Sequence, residues 1–504
     1  MEKLKQFWNE KPLLFIMILG GIFRLIATIF SKGWGMHDDH FLVIETAQSI
    51  LDGTDTYDWI PDDETDTPGG HSFFYAGLHY LLFWSLESVN IFDPQVKMHI
   101  VRFLHAAYSM VTIYLGYKIT LKISSEKTAK LVGLLMAIFW LFPAFSVRNL
   151  VEMVCIPPLM YSTWLLLKNQ ETPKIGPELL AGFSAGIAMG IRYQTALFIG
   201  GFGLYLLFRR RFVGAILFGV MAALAFSITQ IGDLFIWKAP FAEFYEYVRY
   251  NIEHKTSYFD EPWYKYFLTI GGLLIPPISL FWFFGYGRMW KKHLLIFLPA
   301  FIFFAFHSYF PNKQERFILP VLPFFIILGQ VGWENFVATS NFWQNRQKLL
   351  KGFWTWFWII NTIFLVGLTP CYLKRNRVES MVWLSEQPDY NNMIIESSYK
   401  DDYLMPALYY LDSWKHYFYT TKKSHPIAQV RETVNQLEDP AMVPNYVVFF
   451  EEVELEQRVE RFNEEYGEIE LVQVIQPSYV DALLHWLNPN NDNQTTYIYK
   501  IKTP

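Results

Sequence analysis

The chain has 504 residues, of which 52% are hydrophobic, 19% aromatic and 18% charged, whereas a soluble globular chain carries about 25% charged residues. Residues 374–504 hold 21 acidic and 12 basic side chains, and the first 373 positions hold 26 acidic and 30 basic. A long apolar part that is slightly basic, followed by a strongly acidic tail, excludes a single water-soluble domain, a disordered chain and a nucleic-acid partner held by bulk positive charge. The two cysteines, Cys155 and Cys371, exclude a disulfide scaffold and a CxxC zinc module.

Apolar stretches suited to crossing about 30 Å of hydrocarbon recur at 13–31, 98–117, 130–147, 153–167, 178–191, 195–208, 212–232, 264–286, 294–310, 317–336 and 353–371. The first lacks a small-residue cleavage site and is expected to remain as a span. Short cytoplasmic loops are enriched in Lys and Arg. Six basic segments therefore belong inside: the N-terminus (Lys3, Lys5, Lys11), Lys118 to Lys130, Lys168 to Lys174, Arg209 to Arg211, Arg288 to Lys292, and Arg346 to Lys351. All six fall inside if the run His71 to Val89, which carries His71, His79 and Glu87, lies at the interface as an amphipathic helix instead of crossing. About eleven crossings then place the N-terminus in the cytoplasm and the tail outside.

The expected fold is a polytopic α-helical membrane domain over 1–372 and an extracytoplasmic α/β domain over 373–504. In the tail, strand-like runs occur at Met393–Glu396, Tyr417–Thr421, Tyr446–Phe450, Glu468–Ile475 and Thr496–Ile501. Helical patterns at Met405–Leu411, Ile427–Leu437, Leu455–Tyr466 and Val480–Leu487 alternate with them. That alternation predicts a small α/β sandwich with a largely parallel sheet. No GxGxxG turn is present to hold a nucleotide there.

The remaining charges gather on the expected outer side. The first outer loop opens with Met36-His37-Asp38-Asp39-His40-Phe41. Adjacent carboxylates there suit a general base, the flanking histidines equally suit a divalent cation, and a helix cap with solvated charges accounts for the same residues. Further outer segments carry Thr56-Tyr57-Asp58-Trp59, Gly70-His71-Ser72, Arg148 to Glu152, Arg192, and Asn251 with His254 and Lys255. The last runs from Asn312 through Lys313, Gln314, Glu315 and Arg316 to Pro323. Arg holds phosphate bidentately and Lys as a point charge. Any one of these cations could instead snorkel to lipid headgroups, but their common side favours a joint anionic site.

Taken in order, these segments resemble the integral-membrane mannosyltransferases of the GT-C superfold that build the N-glycan core and the GPI-anchor glycan. The family's HPDE-type motif, followed by an aromatic residue and a later Glu, is matched by His37-Asp38-Asp39-His40-Phe41 with Glu45. Its TYEW-like element and G-x-RS stretch resemble Thr56 to Trp59 and Gly70-His71-Ser72, and its arginine turn ending in Glu resembles Arg148 to Glu152. The PWHWYF-like run resembles Pro262 to Phe267, and the HKEERFI(F/L)PVLP motif resembles Asn312 to Pro323. Asp38 and His40 stand where the family has proline and an acidic residue, His71 replaces Arg, and Asn312 replaces the late His.

The resemblance implies a glycosyltransferase that takes one sugar, mannose by analogy, from a polyprenyl-phosphate donor to a glycan or lipid-linked acceptor, with inversion. Asp39 would be the base. His37, Asp38, Glu45, His71, Arg148, Glu152 and Glu315 would help bind substrate, while Lys313, Arg316, Arg192 and His254 would stabilise the leaving phosphate. A lipid phosphate leaves without metal assistance, so no cofactor is required, and a divalent metal at the His-Asp cluster stays open. The rival classes are a transporter or flippase for a lipid-linked sugar, and a ligase using a lipid-diphosphate donor. The tail, foreign to the eukaryotic members, and the scarcity of cysteine favour a bacterial plasma membrane over the endoplasmic reticulum. Cys155 and Cys371 are expected reduced.

Overall fold

The structure is a computed structural model that describes residues 2–61, 63, 66–257 and 260–502. Parts of two expected outer loops, residues 62, 64–65 and 258–259, lie outside the described residues. The chain divides into two compact units.

The first unit comprises Met1–Ile29, Asp58–Leu78 and Ile100–Pro370 and is helical. Most of each apolar stretch read from the sequence is helical, although 130–147 breaks at Phe139 and Trp140 between the helices Glu126–Ile138 and Leu141–Ser146. Four helices are long and apolar enough to cross a bilayer singly: Pro12–Phe30, Phe212–Thr229, Glu315–Thr339 and Gln347–Leu368. Glu315–Thr339 is the central one, with 89% of its apolar window buried, against 17% for Gln347–Leu368. Shorter apolar helices occupy Ile175–Ile191, Tyr193–Phe208 and Leu294–Tyr309. The stretch expected as one span at 264–286 is instead two helices, Lys265–Leu273 and Ile278–Arg288, bent by 119°, because Pro276 and Pro277 interrupt the hydrogen-bond ladder between them.

Small residues bring helices together where lipid supplies no hydrophobic drive between them. Gly182, Gly186 and Gly190 recur one turn apart on the Ile175–Ile191 helix. A Cβ on them would overlap Phe218 O, Ala222 O and Thr229 Oγ1 respectively. Gly285 meets Gly329 and Gly332 in the same way. Within the helix Pro12–Phe30, Arg24 is 1% exposed. Its guanidinium donates to Ser109 Oγ at 2.7 Å and to the carbonyls of Met136 and Ala137 at 3.1 Å. Those carbonyls end the Glu126–Ile138 helix, where a cation is favoured, so Arg24 acts as a structural pin.

The second unit joins Phe30–Tyr57 and His79–His99 to Cys371–Pro504. Its sheet holds β1 (Met393–Ser397), β2 (Phe418–Thr421), β3 (Tyr446–Phe449), β4 (Ile469–Ile475) and β5 (Thr496–Ile501) in the order β2-β1-β3-β5-β4. The expected strands are all present to within one or two residues. The expectation of a largely parallel sheet is corrected: β1 runs parallel to β2 and β3, but β5 pairs antiparallel with both β3 and β4. The central strands β1 and β3 are covered on both faces: every residue of both is buried, and 393–395 and Tyr446–Phe449 are unbroken apolar runs. Edge strand β4 leaves its middle residues more open. Helices Ile427–Asn435 and Leu455–Tyr466 cover the sheet through Ile427, Val430, Val434 and Phe462.

The carboxyl ends of parallel strands, where open α/β sheets hold ligands, are filled here by the protein's own side chains. Arg458, fully buried, lies 2.5 Å from Glu396 Oε2 and donates to Glu451 O at 2.9 Å and Val453 O at 3.0 Å. The Phe30–Tyr57 segment is tied to the tail by backbone and side chain. Leu373 N donates to Lys32 O at 3.1 Å, and Trp414 Nε1 to Asp52 Oδ2 at 2.6 Å. A Cβ at Gly33, whose φ is +71°, would overlap Leu373 O. Cys155 and Cys371 are both buried thiols.

Candidate active site

Two clusters, one in each unit, gather the residues singled out by sequence.

In the second unit, His37–Asp39 form one short helical turn that passes into a π-helical turn, His40–Glu45; such wide turns concentrate at functional sites. Asp39 is 3% exposed and Glu45 is fully buried, while His37 and Asp38 stay more open. The His40 ring stacks on Trp34 at 4.2 Å and on Tyr410 at 5.7 Å, with Nε2 3.0 Å from Glu45 Oε1. Burial lowers the His40 pKa, and Glu45 opposes that. Glu45 also accepts from the Tyr57 hydroxyl and from Tyr409 N at 3.3 Å. One carboxylate therefore fixes the turn that carries Asp39, the Tyr57 segment and the tail.

Two cations that the sequence reading passed over flank this turn. Lys374 donates to Gly35 O at 3.0 Å. Arg377 is 5% exposed, with its guanidinium 5.0 Å from the Trp34 ring and 5.7 Å from Phe41. Burial lowers the Arg377 pKa to about 10. Their sequence distance of more than 330 residues from Asp39 hid them.

In the first unit, Glu152 is fully buried and lies 2.7 Å from Arg192 Nη1 and 3.6 Å from Arg316 Nε. Arg192 follows the Ile175–Ile191 helix, and Arg316 sits in the tight turn Glu315–Val321. Their guanidinium carbons lie 5.0 and 5.6 Å from the Phe317 ring. One carboxylate thus faces two cations. Arg192 Nε and Nη2 and Glu152 Oε2 are buried without a hydrogen-bond partner among the described residues, and buried polar atoms of this kind normally have one.

Arg148 is 4% exposed and donates to Ala144 O at 3.0 Å. Lys313 Nζ donates to the carbonyls of Phe310 at 2.5 Å and Glu261 at 2.8 Å, and so holds the turn leading to Arg316. Glu315 is exposed, 4.0 Å from Lys265. His254 stacks on Tyr250 at 4.2 Å and contacts Tyr250 O through Nδ1; among the described residues nothing joins it to the Glu152 cluster.

His71 lies in a loop whose backbone is clamped by Glu243. Glu243 Oε2 accepts from Gly70 N at 2.7 Å and His71 N at 3.0 Å, and Oε1 accepts from Trp237 Nε1 at 2.8 Å. Burial pushes the Glu243 pKa up to about 7, against the pull of these donors. Glu243 and Gly70 are 173 residues apart, and nothing local in the sequence marks the pair. Among the described residues, no group of three or more His, Cys, Asp or Glu is arranged to hold a metal ion.

The model of the Alg9-like mannosyltransferase family matches residues 13–394. Among curated relatives, GPI mannosyltransferase 3 of Saccharomyces cerevisiae is 24% identical over 184 residues, 34% of this chain and 29% of the yeast protein. Alpha-1,2-mannosyltransferase ALG9 of Homo sapiens is 25% identical over 229 residues, 42% of this chain and 37% of its own length. The matched regions thus span about a third of these relatives. The structure of ArnT from Cupriavidus metallidurans bound to undecaprenyl phosphate is similar in fold, with a TM-score of 0.56 and 11% identity over 97% of this chain and 98% of that one. With a match that covers every motif between the first apolar helix and the start of the tail, the chain belongs to the Alg9-like mannosyltransferase family.

Proposed function

We propose that the protein transfers a single mannose from a polyprenyl-phosphate donor to a hydroxyl of a glycan or lipid-linked acceptor, on the outer face of a bacterial plasma membrane. The family match over 13–394 carries this reading. The relatives named for mannosyl transfer support the sugar, and a fold relative with undecaprenyl phosphate bound supports the donor class.

In this reaction the acceptor oxygen bonds to the anomeric carbon as the bond to the phosphate oxygen breaks, inverting the configuration. Asp39 takes the acceptor proton; its burial at the head of a rigid π-helical turn suits a positioned base. Arg192 and Arg316 stabilise the charge on the departing phosphate, and the bare donors of Arg192 favour that role. Glu152 holds both guanidinium groups in place. Lys313 shapes the turn and does not itself need to reach the phosphate.

The test uses purified protein in liposomes with radiolabelled polyprenyl-phosphate mannose, following label into the host's lipid-linked or surface glycans. A general base contributes on the order of 100- to 10,000-fold, so Asp39→Asn should lose at least about 100-fold in rate while keeping its melting behaviour. Equal transfer by both proteins would remove Asp39 from the role. Transfer by neither, with the donor still bound, would overturn the choice of mannose or of reaction class.

A further inference from the structure

Between the last two strands of the tail lies a helix with an exposed apolar face. The helix Tyr479–Leu487 reads YVDALLHWL. Val480 and Asp481 face inward and are buried. Tyr479, Leu483, Trp486 and Leu487 recur at intervals of four, three and one, so they share one face. They are 58%, 50%, 76% and 64% exposed, and Leu484 beside them is 41% exposed. No charge interrupts this stripe. The neighbouring His485 turns aside to Asn491 O, 2.7 Å from its Nδ1. A helix on a water-facing surface should carry polar groups on the side opposite its buried stripe, and this one does not.

We propose that this face docks in the lipid interface of the bilayer that the chain spans. The composition selects that occupant: a tyrosine at one end, a tryptophan near the other and leucines between are what interfacial helices and aromatic belts present to the headgroup boundary. The attachment points the same way. Ser478 Oγ caps the helix by accepting from Asp481 N at 3.1 Å, and Asp481 Oδ2 accepts from Arg375 N at 3.4 Å. Arg375 follows the last residue of the apolar helix Gln347–Leu368 by only seven positions. The helix is therefore tied to the point where the chain has just left a span. Because the tail is strongly acidic, contact rests on apolar burial and not on attraction to anionic lipid. This holds whether or not the sugar transfer proposed above is correct.

The experiment uses the full chain in phosphatidylcholine nanodiscs, with a nitroxide on a single introduced cysteine at Leu483, Leu487 or, as control, the exposed Glu464. Both native cysteines are buried, and unsubstituted protein taken through the same labelling gives the background. All three positions are exposed, so the labels displace no core. The expected result is a ratio of oxygen to nickel-chelate accessibility several-fold higher at 483 and 487 than at 464, unchanged by salt or by added anionic lipid. A ratio at 483 and 487 equal to that at 464 would show a water-exposed face and overturn the proposal. Poor access to both reagents would show a protein cover, such as a second copy, and overturn it equally. A ratio that appears only with anionic lipid would overturn the apolar basis.

Discussion

Glu152→Ala should destabilise the helical unit by about 3–5 kcal/mol, the cost of removing one partner from a buried ion pair. Burial sets the magnitude. The Glu152 side chain is fully buried, and those of Arg192 and Arg316 are 6% and 8% exposed; the same geometry on a surface would contribute at most about 1 kcal/mol. Removing Glu152 leaves two guanidinium groups without their shared counter-charge. Glu152→Gln keeps an acceptor for Arg192 Nη1, and a hydrogen bond to a charged group contributes about 1.5–3 kcal/mol, so its loss should be smaller, about 2 kcal/mol. Denaturation in detergent micelles of Glu152→Gln, Arg192→Leu and the double variant closes a cycle. The coupling should exceed about 1 kcal/mol, because residues in contact couple and distant ones add. A ligand that binds only the folded state stabilises by mass action; undecaprenyl phosphate should therefore rescue Glu152→Gln more than wild type, its phosphate replacing the missing charge. Additive effects in the cycle, or Glu152→Ala as stable as wild type, would refute the reasoning.

A second expectation concerns pH. Because the folded-state pKa of Glu243 lies near 7, above its ordinary value, its contribution is full below about pH 4.5 and is lost as pH rises through about 7. The change amounts to about 3 kcal/mol at 1.36 kcal/mol per pKa unit. Unfolding midpoints measured across that window should fall with pH in wild type and flatten in Glu243→Gln; parallel slopes would contradict the buried clamp. Membrane sidedness is checked with single introduced cysteines. Thr56→Cys should react with an impermeant reagent from outside, and Arg210→Cys only after the inner face is opened. The reverse pattern would invert the proposed topology.

The elements of the tail could be read directly because their signals are local. Met393 to Ile395 and Tyr446 to Phe449 are apolar without alternation, as strands covered on both faces must be, and the helix at 455–466 shows its period. The place of β5 could not be read that way: Thr496 to Ile501 is an adequate strand in either direction, and its pairing between β4 and β3, the latter some fifty residues away, makes it antiparallel to both. The candidate site divides similarly. Acidic residues heading the first loop and arginines beside aromatic residues follow from residue type and position, whereas the burial of Asp39 does not. That Lys313 would spend its ammonium on backbone carbonyls, that Glu243 would hold the loop at Gly70, and that Arg377 would lie over Trp34 depends on contacts between distant segments. No periodicity records these.

The ties between Lys32 and Leu373, Asp52 and Trp414, and Glu45 and Tyr409 have a consequence for biosynthesis. A ribosome adds about 5–20 residues per second. The segment ending at Tyr57 is therefore made about 15–60 s before Cys371, the first tail residue of its unit. Throughout that interval Glu45, Trp34 and the turn carrying Asp39 exist without the partners that bury them. The first part of this unit to be synthesised is thus among the last to be completed, and a chain cut short before the tail would leave that turn unassembled even with every apolar helix made.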